Sequence, residues 1–219
     1  MTAQFQLLVG FDLGAVFLYA LTGAWVAIQR KYDLVGVFTL ALVTGVGGGL
    51  LRDAVFIQQG HPAAMQDARY VWAVVVASGL AALTFPLAKH FEQLVATVDA
   101  LALGAYAVVG AQKALAAGLS ATDAILVGVI NATGGGLIRD VLVRDRPLIF
   151  KPGQYYVLAA LAGTSVFTIL LLGWRVPVRT AAWLSIGGTF LFRMLAIRFN
   201  WRTSPMPRWG ESSSSRDRD

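Results

Sequence analysis

The sequence predicts an all-α integral membrane protein: seven transmembrane helices, built as 3+3 inverted repeats plus a seventh helix. Three observations carry this. Of 219 residues, 57% are hydrophobic and only 14% are charged, against about 25% charged in a soluble domain, and the mean hydropathy is +0.64. Apolar stretches recur after each short polar break at about 20 residues apiece, the length a helix needs to cross a bilayer. The chain also repeats itself at a spacing of 87 residues. The stretches lack the period-two polar alternation of a β-barrel.

The first span runs from about Leu7 to Ile28. It has no basic residue before it and exceeds a secretory apolar region in length, so it is a mature helix and not a signal peptide. The second, about Leu34 to Ile57, carries the triplet Gly47-Gly48-Gly49, and the third runs from about Tyr70 to Ala88. The fourth, about Leu94 to Ala116, and the fifth, about Ala121 to Val143 with a second triplet at Gly134-Gly135-Gly136, lie 87 residues beyond the first two. The sixth runs from about Tyr155 to Trp174 and the seventh from about Val178 to Ile197. Trp72, Trp174, Trp183 and Trp201 fall near span ends, where an interfacial aromatic belt belongs. Gly187-Gly188 suit helix packing, and Arg193 snorkels or pairs.

The repeat is specific. Asp12, Ala15, Tyr19, Ala20, Gly23, Ala24 and Ala27 fall on Asp99, Ala102, Tyr106, Ala107, Gly110, Ala111 and Ala114. Gly47, Gly48, Gly49, Leu50, Arg52 and Asp53 fall on Gly134, Gly135, Gly136, Leu137, Arg139 and Asp140. Chance matching of apolar segments pairs Ala, Leu and Val, but not Tyr, Asp and Arg together. The register then slips by two, since Pro62 matches Pro147. Three helices per copy is an odd number, so the second copy enters the membrane from the opposite side. The chain divides into repeats at 1–92 and 93–175, a seventh helix at 176–200 and a flexible tail at 201–219, rich in Ser, Pro and Arg and able to touch anionic lipid.

The net charge of +6 reads as topology rather than nucleic-acid binding. Arg30, Lys31, Lys89, Arg144, Arg146, Lys151, Arg198, Arg202, Arg208, Arg216 and Arg218 lie on one side, against Arg69, Lys113, Arg175 and Arg179 on the other. The positive-inside rule then sets the N-terminus outside and the C-terminus in the cytoplasm, which requires an odd number of spans. With no cysteine and two isolated histidines, His61 and His90, there is no thiolate or histidine metal cluster. Without a Ser-His pair inside the spans either, an enzyme is not the reading, and no cofactor is expected.

Three successive glycines cost a helix about 1 kcal/mol each relative to alanine. The expected outcome at both triplets is a kink or an unwound turn, whose freed carbonyls are tolerated only inside protein or beside water. Close helix packing would account for one triplet. Two at pseudo-symmetric positions, each followed by Arg-Asp, favour a pore. A charge at the centre of a span costs at least about 2.5 to 3.5 kcal/mol, so two clusters are expected: Asp12 with Arg52 and Asp53 in the outer half, Asp99 with Arg139 and Asp140 in the inner half. They are either glue between helices or the two vestibules of an ion path. Lys113 is a snorkelling anchor or a pore-facing gate charge. Tyr19 and Tyr106 cap the cavity or pack. Thr44 and Asn131, equivalent and one turn before the triplets, place polar groups where a constriction would form.

Two copies of G-G-G-x-x-R-D, each in the second helix of a three-helix repeat with a proline nine or seven residues after the Asp, resemble the prokaryotic branch of the trimeric intracellular cation (TRIC) channel family, also catalogued as glycine transporters. The resemblance implies a homotrimer in the bacterial inner membrane, with membrane lipids as its surroundings and no nucleic-acid partner. It implies one potassium-permeable pore per protomer on glycine-kinked second and fifth helices, with potassium held at backbone carbonyls near Gly47 and Gly134. Animal members carry a Lys-Glu-Val motif in the fourth helix tied to phosphoinositide; here Gln112-Lys113-Ala114 keeps the lysine without the acid. No K+-channel filter sequence is present, so modest selectivity is expected. The alternative is a secondary transporter for glycine or another small amino acid, with half-helix N-termini holding the carboxylate.

Overall fold

The computed structural model describes residues 7, 9–85, 91–151 and 155–201. Lys89, His90 and the tail beyond Trp201 lie outside the described residues. Seven principal helices follow in order: α1 Val9–Gln29, α2 Leu34–Leu51, α3 Arg69–Thr84, α4 Phe91–Ala116, α5 Ala121–Leu142, α6 Tyr156–Thr168 and α7 Val178–Arg198. Helix α2 continues as a π-helical turn, Arg52–Ile57, and α6 as another, Ile169–Gly173. Short helical turns, Ala63–Gln66 and Leu148–Phe150, follow Pro62 and Pro147. Among the described residues, six helices are long and apolar enough to cross a membrane, while Arg69–Thr84 is apolar but shorter. The span expected from Tyr70 to Ala88 is α-helical to Thr84, and its end at Ala88 lies outside the described residues.

Helix ends are set by local chemistry. Asp33 caps α2 through its side chain on the Gly36 N–H at 2.8 Å. Ser120 and Asp123 form a reciprocal capping box at the start of α5, which satisfies two orphan backbone donors. Replacing Ser120 with alanine is expected to cost about 1 kcal/mol, read as a lower unfolding midpoint in detergent. At its other end α1 closes on Lys31 at φ 59°, with the Tyr32 N–H returning to the Ala27 carbonyl. The repeat-equivalent position closing α4 is Gly118 at φ 86°, with the Leu119 N–H on Ala114. This left-handed cap is natural to glycine; at Lys31 it is held in spite of the side chain, beside a helix C-terminus that favours a cation.

The helices pack as two groups. Helix α1 lies against α2 and α3, α4 lies against α5 and α6, and the groups join where α1 meets α4 and α2 meets α5. Helix α7 covers α4 and α6. The alanines shared between the repeats form the buried seams: Ala15, Ala20, Ala24 and Ala27 on α1, and Ala102, Ala107, Ala111 and Ala114 on α4. In a bilayer, helices gain little by hiding apolar surface from lipid. Small residues that let backbones approach are what make these contacts.

Candidate functional site

The α2–α5 crossing occupies the middle of the bundle, and both glycine triplets lie in it. Both helices stay α-helical through their triplets. Of the kink or unwound turn expected there, the unwound turn is not what the chain adopts; the irregular turn begins three residues later, at Arg52. The glycines are used for contact instead. A Cβ on Gly48 would fall on the Asn131 carbonyl oxygen, and one on Gly135 on the Thr44 carbonyl oxygen, at overlapping distances in both cases. The two contacts are repeat equivalents. With backbones this close, each helix shields the other's glycines, and intrahelical hydrogen bonding persists despite low propensity.

Two tyrosines pin the crossing. Tyr19 donates its hydroxyl to the Ala132 carbonyl and Tyr106 to the Gly45 carbonyl, again an exchange of repeat equivalents. Their rings stack at 5.3 Å between centroids. Asn131 donates Nδ2 to the Tyr106 carbonyl at 2.7 Å, and Thr44 donates to the Leu40 carbonyl at 2.6 Å. All four side chains are fully buried.

On the side of the crossing where α1 begins, Arg52, 1% exposed, binds Asp53 through Nε at 2.6 Å and Asp12 through Nη2 at 3.5 Å. Its Nη1 reaches Asn131 Oδ1 at 3.4 Å, linking the charges to the crossing. Asp12 Oδ2 also accepts from Tyr70 at 2.7 Å and from the Lys113 ammonium at 2.6 Å. Lys113 Nζ stands 4.0 Å from Asp53. The Ala63 N–H, opening the turn after Pro62, donates to Asp53 Oδ2 at 3.1 Å.

On the opposite side, Arg139 Nη1 binds Asp99 at 3.0 Å and Thr22 Oγ1 at 3.0 Å, while its Nε binds Asp140 at 2.9 Å. The Leu148 N–H, following Pro147, donates to Asp140 Oδ2 at 3.1 Å. The guanidinium of Arg193 lies 5.1 Å above the Tyr156 ring. Each Arg thus turns back on the Asp beside it in sequence and reaches a second Asp on the facing helix. This spreads the cost of a buried guanidinium over two carboxylates.

A cleft ends on each set. At the α1 N-terminal end, a cavity of about 250 Å³ is lined by Asp12, Gln66, Asp67, Tyr70, Gln112 and Lys113 among others. A neighbouring one of about 310 Å³ reaches Asp53, His61 and Lys113. Asp67 at the rim accepts from Arg69, and that hydrogen bond holds its carboxyl below the usual range. At the α1 C-terminal end, a cleft of about 630 Å³ is lined by Arg30, Glu92, Asp99, Arg139, Asp140 and Arg193 among others. Among the described residues no group of three His, Cys, Asp or Glu side chains is placed to hold a metal. Tyr70 lines the first cleft and Tyr156 lies under Arg193, with its hydroxyl 3.2 Å from that of Tyr19; neither was singled out from the sequence. Their signal was there, at an offset of 86 residues, but beyond the register slip.

A family model described as glycine transporter matches twice, over residues 9–86 and 96–171. A solved TRIC trimeric intracellular cation channel orthologue from Rhodobacter sphaeroides is 32% identical, at a TM-score of 0.79 over 87% of this chain and 97% of that one. This chain belongs to the TRIC family. Two relatives agree with this: a UPF0126 membrane protein of Deinococcus radiodurans, 30% identical over 91% of this chain and 92% of its own, and the UPF0126 inner membrane protein YadS of Escherichia coli, 31% identical over 89% and 94%. As a TRIC-family member the chain is a multi-pass, all-helical membrane protein.

Proposed function

We propose that this TRIC-family chain is a passive cation channel, chiefly for potassium, with one pore in each protomer of a homotrimer in the bacterial inner membrane. The observation that carries the reading is the pairing of the clefts. They open at opposite ends of α1: Asp12 and Asp53 line those at one end, and Asp99, Arg139 and Asp140 line the one at the other. Asp12, Arg52 and Asp53 face the outer vestibule, and Asp99, Arg139 and Asp140 the inner one. This follows from seven crossings in a 3+3 inverted repeat with the N-terminus outside and the C-terminus in the cytoplasm. Gly47, Gly48, Gly49, Gly134, Gly135 and Gly136 let the two helices touch when closed and separate when open. Thr44 and Asn131 flank that constriction. When Tyr19 and Tyr106 release the Ala132 and Gly45 carbonyls, potassium meets backbone oxygens near Gly47 and Gly134. Lys113 on Asp12 closes the outer mouth. No catalytic step and no cofactor is part of this function.

Purified protein in planar bilayers is expected to carry unitary currents in KCl that reverse near the potassium equilibrium potential, with modest discrimination between potassium and sodium. Glycine-dependent uptake without unitary currents would sink the reading in favour of a transporter.

A further inference from the structure

In each repeat the first two helices close on left-handed turns, and these turns meet across the repeats. Arg30 precedes Lys31, at φ 59°, and Asp145 follows Arg144, at φ 58°. The Arg30 guanidinium and the Asp145 carboxylate form an ion pair. The related positions at the other end of the bundle are Ala117, before Gly118 at φ 86°, and Gln59, after Gln58 at φ 52°. There Gln59 donates Nε2 to the Ala117 carbonyl at 3.1 Å. The fold thus brings the same two points together twice. A neutral amide on a backbone carbonyl serves at one end, so the architecture does not need a charge at this place; at the other end the contact is ionic.

The second observation is where the pair stands. Arg30 and Asp145 both line the cleft of about 630 Å³ at the C-terminal end of α1. Their side chains are 42% and 44% exposed, against 3%, 2% and 10% for Arg139, Asp99 and Asp140 in the same cleft. The pair is therefore at the mouth and the buried set at the floor. Each partner is tied to a wall. The Arg30 N–H bonds the carbonyl of Val26, a lining residue, and the Asp145 N–H bonds the Asp140 carbonyl at 2.8 Å. A wall that moves takes its half of the pair with it. Exposed ion pairs contribute about 0 to 1 kcal/mol and weaken with salt, whereas the neutral contact of Gln59 carries no net charge to screen. The other two rim charges, Glu92 and Lys151, are of opposite sign and leave the balance of the mouth unchanged.

We infer that the Arg30–Asp145 ion pair is a salt-sensitive latch across the mouth of this cleft. At low ionic strength it holds the end of α1 against the turn that follows α5. At high ionic strength the attraction is screened, the two walls part more often, and water and ions reach Asp99, Arg139 and Asp140. The cavities at the other end, bridged by Gln59, do not share this response. In the channel reading, the latch makes access from this end follow the ionic strength of the compartment it faces. That consequence rests on the channel reading; the latch does not.

The chain has no cysteine, so a single introduced thiol reports alone. Ala96 lines this cleft and Ala116 a cavity at the other end. Purified full chains carrying Ala96→Cys or Ala116→Cys are labelled with iodoacetamide, a small neutral reagent. N-methyl-D-glucamine chloride is raised from about 0.01 to about 1 M, over which the Debye length falls from about 30 to about 3 Å. Labelling of Ala96→Cys is expected to quicken about threefold, equivalent to about 0.7 kcal/mol, while that of Ala116→Cys stays level. Asp145→Asn or Arg30→Gln, added to Ala96→Cys, is expected to give the fast rate at every salt concentration. The two together are expected to do no more than either alone. Should Ala96→Cys not fold, Val26→Cys reports from the same cleft. A rate indifferent to salt, an equal rise at Ala116→Cys, or a double variant additive over the singles overturns the latch. A chain that conducts in bilayers but fails this titration loses the latch and keeps the channel. One that passes it without unitary currents keeps the latch and loses the channel.

Discussion

Alanine at Gly48 or Gly135 is expected to prevent the bundle from assembling, whereas alanine at Gly49 leaves it folded. The added methyl at Gly48 meets the Asn131 carbonyl oxygen and at Gly135 that of Thr44. Both belong to mid-helix backbone, which cannot swing aside as a flexible side chain would. Overpacking a relaxed core costs about 1 to 3 kcal/mol, and a collision with fixed backbone falls at or beyond the top of that range. The helix-propensity gain from glycine to alanine, about 1 kcal/mol, does not offset it. At Gly49 the nearest atom is Arg52 Nη2 at 3.6 Å, an ordinary contact, so the propensity gain stands unopposed. Size-exclusion recovery and unfolding midpoints in detergent read the difference. A Gly48→Ala protein as stable as wild type would refute the contact as the reason for the triplet.

That contrast marks how far the sequence was legible. The offset of 87 residues led to Asp12 with Arg52 and to Asp99 with Arg139, because buried charges in an apolar span must find each other and the repeat named both partners. Propensity pointed to an unwound turn at the triplets that the helices do not make. It counts the cost of glycine in an isolated helix and knows nothing of a second helix lying against it, where glycine's missing side chain becomes the reason for contact. The Tyr19 and Tyr106 hydroxyls reach carbonyls more than 60 residues away, a distance no local pattern encodes. Lys113 was hardest to place because its repeat equivalent is a valine. Symmetry predicted nothing at that position, and its pairing with Asp12 depends on how α1 meets α4.

The same asymmetry separates the two buried arginines, and Arg139→Gln is expected to destabilise the protein more than Arg52→Gln. Arg139 sits between Asp99 and Asp140 at 3.0 and 2.9 Å. Removing its charge takes the guanidinium from between two buried carboxylates and leaves Arg193, which lines the same cleft, as the cation beside them; breaking a buried pair in this way costs about 3 to 5 kcal/mol. Arg52 also serves two carboxylates, but Lys113 already holds Asp12 at 2.6 Å and stands 4.0 Å from Asp53. In Arg52→Gln the lysine remains to neutralise one of them, so the loss falls short of that at Arg139. Neutralising a carboxylate together with the arginine, as in Arg139→Gln with Asp140→Asn, is expected to recover part of the loss, because a matched neutral pair strands less charge than a broken ionic one. Unfolding midpoints of the four variants, including Arg52→Gln with Lys113→Gln, close the argument. If Arg52→Gln is as damaging as Arg139→Gln, and adding Lys113→Gln makes it no worse, Lys113 contributes nothing to holding Asp12 and its contact is incidental.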